Sequence, residues 1–404
     1  MTEQSILDQI ISNYKSEEIA NLDAVEIIGN LFGELSERER DILSRRFGLR
    51  GQNSETLENI GKAHNLTRER IRQIENSGVN KIRQLKNLED RVSRLKSVMS
   101  QLIEEHGGMI EREYLLDNLV CFSAGNSKNS DKERDLHKNH LDFLISKLMK
   151  QEFETVGDSG NFKHYFRFKY RQLDHLEEIA EELLEKIKEL KKALKTEEVI
   201  KLACELDSFK RHQDKLSAPN NIDISQVLGG DFFDEDADLI NRNKPIYAIL
   251  RAAKNIEQNK FGYWGARDWR EINPKTINDK IYLVLANRGK PMHFAEIADE
   301  INKINFDKKR ANAATVHNEL ILDDKYVLVG RGLYSLKEWG YKEGTVADII
   351  VDILSEADYP MSRDEIVDEV LKQRLVKKAT IILALMDKNK FERVGNKYKL
   401  KSRE

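Results

Sequence analysis

A short run of charged and amide side chains that begins at Thr67 has the residue types and spacing needed to read DNA bases. Arg68, Glu69, Arg72 and Gln73 fall at i, i+1, i+4 and i+5, which is one face of a helix. Arginine and glutamine match guanine and adenine edges in the major groove, and glutamate can accept a hydrogen bond from cytosine. We therefore predict that this face contacts DNA.

The neighbouring residues predict the helices that would position this face. Thr67 is a suitable N-cap for the second helix, and Ile71 and Ile74 would pack inward. Residues 56–66 predict a first helix followed by a tight turn. The predicted core face of that first helix consists of Leu57, Ile60 and Ala63. Two helices joined by such a turn form a helix-turn-helix, whose second helix enters the major groove.

The local charge favours a nucleic-acid partner. Residues 62–86 contain seven basic and two acidic residues, a local net charge of +5 in a chain of net charge −3. Phosphate binding requires such a local excess, because a sequence pI near 6.4 gives no bulk attraction to DNA. A solvated surface helix in an ordinary bundle is the alternative interpretation of the charge alone.

Three blocks in order, residues 35–49, 56–61 and 67–75, closely resemble region 4 of bacterial primary-type sigma factors. The resemblance implies binding to a −35 promoter element and docking on the flap of the RNA polymerase β subunit. By position, Arg68, Glu69, Arg72 and Gln73 match the family's base-reading residues. The full set of expected DNA-binding residues is Thr56, Lys62, Thr67, Arg68, Glu69, Arg70, Arg72, Gln73, Lys81 and Arg83.

Composition predicts several small folded domains in a reducing compartment. The 404 residues include few glycines and prolines (21 and 5), which argues against long disordered linkers. Cys121 and Cys204 are far apart and lack metal-ligand spacing, so we expect free thiols. The sequence has no apolar run long enough to span a membrane, and no signal peptide is recognisable. We expect a cytoplasmic protein.

A recurring pattern predicts the architecture of the rest of the chain. Helical segments are followed by an apolar strand, a glycine turn and an aromatic-bearing strand, as in a winged helix. The predicted fold is mainly α with small β-hairpin wings, a helix-turn-helix domain followed by a serial array of winged-helix-like modules. Residues 125–139 are predicted to be a mobile loop. The predicted domains are 1–90, 91–172, 173–274 with a leading charged helix, 275–342 and 343–404.

Within the fourth predicted domain, residues 289–298, 315–320 and 329–341 resemble the HARE-type winged helix. This module is shared by the RNA polymerase delta subunit, some restriction enzymes and chromatin proteins, so the resemblance implies contact with DNA or polymerase. The possible secondary DNA contacts are Lys308, Lys309, Arg310, Thr315, His317, Asn318 and Arg331. The alternative is a protein-interaction spacer, because residues 276–341 contain ten basic and nine acidic residues.

The remaining chemistry-bearing residues favour structural roles. The aromatic residues predicted to anchor cores are Trp264, Trp269, Tyr334, Trp339 and Tyr398. The acidic residues at 231, 234–236 and 238 are interpreted as a solvated loop, with a carboxylate metal site as the alternative. His293 and His317 are isolated, and the sequence contains no phosphate-binding loop, nucleophile elbow or zinc-protease motif. We expect no enzyme, cofactor or metal.

Three functions remain as hypotheses. The first is a sigma factor-like transcription factor that binds double-stranded promoter DNA and RNA polymerase. The second is a delta-subunit-like scaffold bound to polymerase without sequence-specific DNA reading. The third, an enzyme that uses the acidic loop, is the weakest. Neither a membrane nor a small-molecule substrate is expected.

Overall fold

The structure is a computed structural model that describes residues 23–123, 130–157, 160–217, 220–342, 344–374 and 376–401. The chain divides into two units, Met1–Asp268 and Trp269–Glu404. Helices predominate, and within the described ranges the strands form three-stranded antiparallel sheets. The predicted fold class, mainly α with small β wings, is confirmed. Residues 1–22 of the predicted first domain lie outside the described ranges.

Residues 24–83, called the head below, form a helical domain. Its helices are α1 (Ala24–Phe32), α2 (Glu37–Phe47), α3 (Leu57–His64) and α4 (Arg68–Arg83). Each of the last three begins at a hydroxyl N-cap. The Ser36 hydroxyl accepts from the Glu39 amide while the Glu39 carboxylate accepts from the Ser36 amide, and Thr67 caps α4. These caps satisfy first-turn amides that have no partner within the helix.

The turn between α3 and α4 is tight because of two small or permissive residues. Asn65 takes the left-handed conformation at φ 55°, and the Leu66 amide donates to the Gly61 carbonyl at 2.9 Å. A Cβ on Gly61 would lie 2.7 Å from the Leu66 carbonyl oxygen. The two helices thereby meet over Ile42, Ile60 and Ile71, each fully buried. Ala63, predicted to face this core, is exposed, because Gly61 takes the close-contact position instead.

The first unit continues with two groups of elements, called modules 1 and 2. Module 1 contains α5 (Leu88–Glu105), β1 (Met109–Glu111), α6 (Arg112–Ser123), α7 (Asp131–Phe143), a π-helical turn (Leu144–Leu148), β2 (Phe153–Val156) and β3 (Tyr165–Phe168). Module 2 contains α8 (Asp174–Leu190), β4 (Leu194–Lys195), α9 (Thr196–Glu205), α10 (Asp207–Arg211), α11 (Gln213–Leu216), a 3-10 turn (Ser225–Val227), α12 (Ala237–Arg242), α13 (Lys244–Ala252), β5 (Ile256–Gln258) and β6 (Tyr263–Ala266).

The second unit contains modules 3 and 4. Module 3 contains α14 (Ile277–Arg288), β7 (Met292–His293), α15 (Phe294–Ile304), α16 (Ala313–Leu322), β8 (Tyr326–Gly330), β9 (Leu333–Leu336) and a 3-10 turn (Lys337–Trp339). Module 4 contains α17 (Val346–Ala357), β10 (Met361–Ser362), α18 (Arg363–Gln373), α19 (Lys378–Ala384), β11 (Phe391–Val394) and β12 (Lys397–Leu400).

In the part of the chain that the structure describes, the four modules have the same order of strands in their sheets. The last strand of each module lies at the centre of its sheet, between the short first strand and its hairpin partner. The short first strand leads directly into a helix each time. Such a helix, strand, two helices and hairpin is the winged-helix order, and module 2 inserts further short helices before α13. The domain boundaries given above stay predictions.

The structure corrects one prediction in module 1. Residues 131–139, predicted to lie in a mobile loop, belong to α7. Ser130 and Glu133 form a capping box at its start, and the polar residues 131–135 that suggested a loop are exposed on the first turns of the helix. Residues 125–129 lie outside the described ranges.

A buried ion pair connects modules 1 and 2. The Lys244 ammonium donates to Glu105 Oε2 at 2.6 Å, to Asn220 Oδ1 at 2.5 Å and to the Ile222 carbonyl oxygen. Both charged side chains are only 2% exposed. The Glu105 carboxylate also accepts from the amides of Asn221 and Ile222. A buried charge is tolerated when its hydrogen bonds are satisfied in this way.

Two further findings concern the cysteine thiols and the length of the apolar helices. Cys121 and Cys204 are free thiols, and burial raises the pKa of each. Among the helices that the structure describes, none is long and apolar enough to cross a membrane.

The turn between α3 and α4 yields the first prediction. Gly61→Ala should destabilise the head by about 1–3 kcal/mol, because the added Cβ meets backbone that cannot move easily. Hydrogen exchange of the α3 and α4 amides in the full chain should accelerate by roughly 5- to 150-fold. Gly29→Ala is the matched control, since nothing lies within 4 Å of its added Cβ. Equal exchange in both variants would contradict this account of the turn.

His106 yields a prediction about pH. Burial lowers the pKa of His106 to about 3, and its imidazole is fully buried against Leu102 and Tyr114. Between pH 6.5 and 3 the unfolded chain therefore binds a proton that the folded chain does not, so stability falls as the pH falls. Between pH 7 and pH 5 this group should cost about 2 kcal/mol. His106→Gln should reduce the pH dependence of the melting temperature; an unchanged dependence would contradict the assignment.

Candidate nucleic-acid interface

The residues predicted to bind DNA lie on an exposed surface of the head. Thr56 and Thr67 cap α3 and α4, and the basic and amide side chains follow along the outside of α4. The exposed members are Thr56, Lys62, Thr67, Arg68, Glu69, Arg70, Arg72, Gln73, Lys81 and Arg83. The opposite side of α4 is buried through Ile71, Gly78, Val79 and Ile82. The helix therefore presents a polar face outward from an apolar core.

The base-reading candidates pair with one another in the free protein. Arg72 Nε and Nη2 donate to the two Glu69 carboxylate oxygens at 2.9 and 2.6 Å. The hydrogen bond from Arg72 lowers the pKa of Glu69, and the same bond raises the pKa of Arg72. Arg70 donates to Gln73 Oε1 at 3.1 Å. These exposed pairs orient the guanidinium groups, and water or a base edge can replace them at small cost.

An ionic network fixes α2 against the end of α3. Asp41 accepts from Arg45 Nε at 2.9 Å and from Arg50 Nη1 at 2.6 Å, and its carboxylate lies 2.9 Å from His64 Nε2. Burial alone would raise the pKa of Asp41, but the hydrogen bond from Arg50 and the charge of Arg45 outweigh burial and lower it. The network holds the helix that precedes the turn, and so helps to set the angle at which α4 leaves it.

Two of the predicted DNA contacts join α4 to other parts of the protein. Lys81 Nζ lies 2.7 Å from Glu39 Oε1, which joins α4 to α2. Arg83 Nε donates to the Lys147 carbonyl at 2.8 Å, which joins the end of α4 to module 1. Sequence spacing gave no signal for either contact, since each partner is distant along the chain. These two side chains therefore also stabilise the head.

Module 1 holds the head through an aromatic contact. The Phe143 ring, 1% exposed, lies 5.9 Å from the Phe32 ring and 4.9 Å from the Phe47 ring. Asn139 Nδ2 donates to the Gly48 carbonyl at 3.2 Å, and Lys147 Nζ lies 5.2 Å from the Phe47 ring centroid. Because α7 and the π-helical turn supply these groups, the head and module 1 pack as one body.

The possible secondary contacts in module 3 are only partly brought together. Lys308, Lys309 and Arg310 are exposed in the loop before α16, and Arg331 is exposed at the wing turn. Thr315 and Asn318 are exposed on α16. His317 was predicted to share that polar face, but its ring lies 4.5 Å from the Phe294 ring and 5.8 Å from the Tyr334 ring. His317 is therefore half-buried within the aromatic core of the module.

The acidic segment of module 2 has structural contacts. Glu235 accepts from Thr196 Oγ1 and Gln258 Nε2, both at 2.7 Å, and burial raises the pKa of its carboxyl group. Asp236 caps α12 by accepting from the Leu239 amide. Among the described residues, no group of three or more histidine, cysteine or acidic side chains could hold a metal ion.

The predicted aromatic anchors differ in burial. Trp264 is 2% exposed and donates from Nε1 to the Thr196 hydroxyl at 2.8 Å, and Tyr334 is 3% exposed. Trp269, Trp339 and Tyr398 are half-buried. Fully enclosed rings such as Trp264 contribute to module cores and are closed to base stacking.

Comparison with known proteins places a similarity in the head. Residues 31–84 match the family model for Sigma-70, region 4. Two relatives named RNA polymerase sigma factor SigA, from Microcystis aeruginosa and Synechocystis sp., are each 50% identical over 58 residues, which is 14% of this chain. The chain spans 14% of the length of these curated relatives. No solved structure matches the chain at a significant level.

The packing of the head yields a prediction about Phe143. Phe143→Ala should cost about 3–5 kcal/mol, because it leaves a cavity between α1, α2 and α7. Hydrogen exchange of α1 and α2 amides in the full chain should accelerate. Phe143→Leu, which keeps most of the apolar volume, should have a smaller effect. Unchanged exchange in Phe143→Ala would show that the head does not depend on this contact.

Proposed function

We propose that this chain is a sigma factor-like transcription protein that recognises a −35-like promoter element through α4 and contacts bacterial RNA polymerase. The observation that carries the proposal is the exposed face of α4, where four polar side chains lie at the N-terminal end of the second helix of a helix-turn-helix. They are Arg68, Glu69, Arg72 and Gln73. The similarity of residues 31–84 to Sigma-70, region 4 supports the same conclusion. The chain acts by binding and not by catalysis in this proposal.

Two kinds of DNA contact follow from the arrangement. Arg68, Glu69, Arg72 and Gln73 read base edges, since their side chains have the donors and acceptors that the major groove requires. The residues around them bind phosphates and fix the register of the protein on the duplex. This second group contains Thr56, Lys62, Thr67, Arg70, Lys81 and Arg83.

The polymerase contact rests on the resemblance of the head to region 4. By that resemblance the head docks on the flap of the β subunit while α4 occupies the promoter. The relatives SigA carry the words RNA polymerase in their names, which supports this class of partner. A polymerase partner also implies a cytoplasmic location, which is part of the proposal.

A second candidate function is a polymerase-bound scaffold, in which module 3 is a HARE-type winged helix like that of the delta subunit. Its support is apolar surface on module 3: Ile321, Leu322 and Leu328 are 62%, 79% and 44% exposed. Exposed apolar side chains in a group are typical of protein interfaces. Co-purification with polymerase, without salt-dependent binding to free duplex, would favour this function over the first.

Arg72→Ala tests the proposed function. Loss of a bidentate base contact should weaken binding of the full chain to a −35-like duplex by about 1–3 kcal/mol, or roughly 5- to 150-fold. Binding to a scrambled duplex should change less, because phosphate contacts remain. Fluorescence anisotropy with labelled duplexes measures both affinities.

Arg242→Ala is the control for this experiment. Arg242 is exposed on module 2 and donates to the Asp238 carbonyl of its own helix, so the variant loses the same charge away from α4. The control should bind both duplexes like the natural chain. If Arg72→Ala and Arg242→Ala bind the −35-like duplex equally well, α4 does not read DNA.

A further inference from the structure

We propose that duplex DNA held by α4 continues onto a basic cleft between the head and module 1, where lysines of module 1 bind its phosphates. This inference rests on the proposed function and extends it, because it gives module 1 a role in DNA binding. The resemblance to region 4 covers residues 31–86 and therefore includes no part of module 1.

The cleft has a volume of about 320 Å³ and lies where α4 ends and α5 begins. Its other wall is formed by residues 148–152 and by Lys169 at the end of β3. The charged residues of the lining are two carboxylates and five cationic side chains: Arg83, Lys86, Lys96, Lys150 and Lys169. Lys147 lies beside them on the π-helical turn that receives Arg83.

Positive charge in the cleft is left uncompensated. Both lining carboxylates, Glu89 and Glu152, pair with Lys96. In the part of the chain that the structure describes, no carboxylate lies within ion-pair distance of Lys86, Lys150 or Lys169.

The surroundings of Lys150 disfavour its charged form. Desolvation and the neighbouring charges of Lys147 and Arg83 lower its pKa. Lys150 and Lys169 are nonetheless exposed. A cluster of mutually repelling, exposed cations is stabilised by a polyanion, and a nucleic-acid backbone is the partner that supplies closely spaced negative charges.

The cleft lies on the same side of α4 as the base-reading residues. Arg72 and Arg83 are eleven residues apart, which turns the helix by three full turns and about 20°. The same separation is about 16 Å along the axis of α4, which exceeds the major-groove width of about 12 Å. A helix whose first turns occupy the major groove therefore brings its last turn to the flanking backbone.

Two contacts fix the position of module 1 relative to α4. Arg83 donates to the Lys147 carbonyl, and Phe143 packs between Phe32 and Phe47. The lysines of module 1 are thus held at one distance from Arg72. A duplex that binds α4 meets them without a further rearrangement of the protein.

The double variant Lys150→Gln/Lys169→Gln tests the inference in the full chain. The probe is a duplex of about three helical turns with a −35-like element at its centre. Each lost phosphate contact should reduce the slope of log K against log salt by about 0.9, and binding at about 0.1 M salt should weaken about 10- to 60-fold. The loss should be equal on a scrambled duplex, because phosphates carry no sequence.

Lys188→Gln/Lys201→Gln is the matched control, since both lysines are exposed on module 2 and remove the same charge. The control should keep the natural slope and affinity. The Lys150/Lys169 variant could have the same slope and affinity as the control while Arg72→Ala still weakens specific binding. In that case the cleft does not bind DNA, and the proposed function is unaffected. Sensitivity to Lys150/Lys169 without sensitivity to Arg72 supports the cleft and overturns base reading by α4. A natural chain that binds neither duplex overturns both.

Discussion

The packing of Phe143 into the head is the contact on which the orientation of the proposed DNA-binding face depends. This ring belongs to α7 of module 1, yet it fills the space between Phe32 of α1 and Phe47 of α2. Arg83, Asn139 and Lys147 add polar contacts between the head and module 1, and Phe143 supplies a buried apolar one. Close packing of apolar rings is directional and hard to deform, because a small gap already loses much of the dispersion energy. The face that carries Arg72 therefore has a fixed orientation toward module 1.

Within the first unit, modules 1 and 2 are connected by a buried ion pair and not by aromatic packing. The ammonium of Lys244 has three donors, and Glu105, Asn220 and the carbonyl of Ile222 accept from it. A buried pair of this kind adds little net stability compared with apolar packing, but removing one partner is costly and wrong arrangements are penalised. The pair thus joins modules 1 and 2, and separating them would leave its charged groups without these hydrogen bonds. In the proposed function, the DNA-reading face of the small head is thereby part of a larger body formed with modules 1 and 2.

Features set by short-range patterns were predictable from the sequence. Thr67 caps α4 and Ile71 is buried because a cap and a helical period depend only on neighbouring residues. The wings were predictable for the same reason, since strand, glycine turn and aromatic strand are contiguous. The prediction of a loop at residues 131–139 was wrong, because a charged helix face resembles a loop in composition. The cleft lined by Lys150 and Lys169 had no signal in the sequence, because tertiary packing alone brings these residues beside the end of α4.

The central claim is that α4 reads DNA sequence as part of the whole chain. The most direct test is to select duplexes from a random pool with the full-length protein and with its Arg72→Ala variant, and to sequence what is bound. We expect one enriched motif for the natural chain, and loss of preference in the variant at the base pair that Arg72 contacts. Enrichment of no motif, or of the same motif by both proteins, would contradict it.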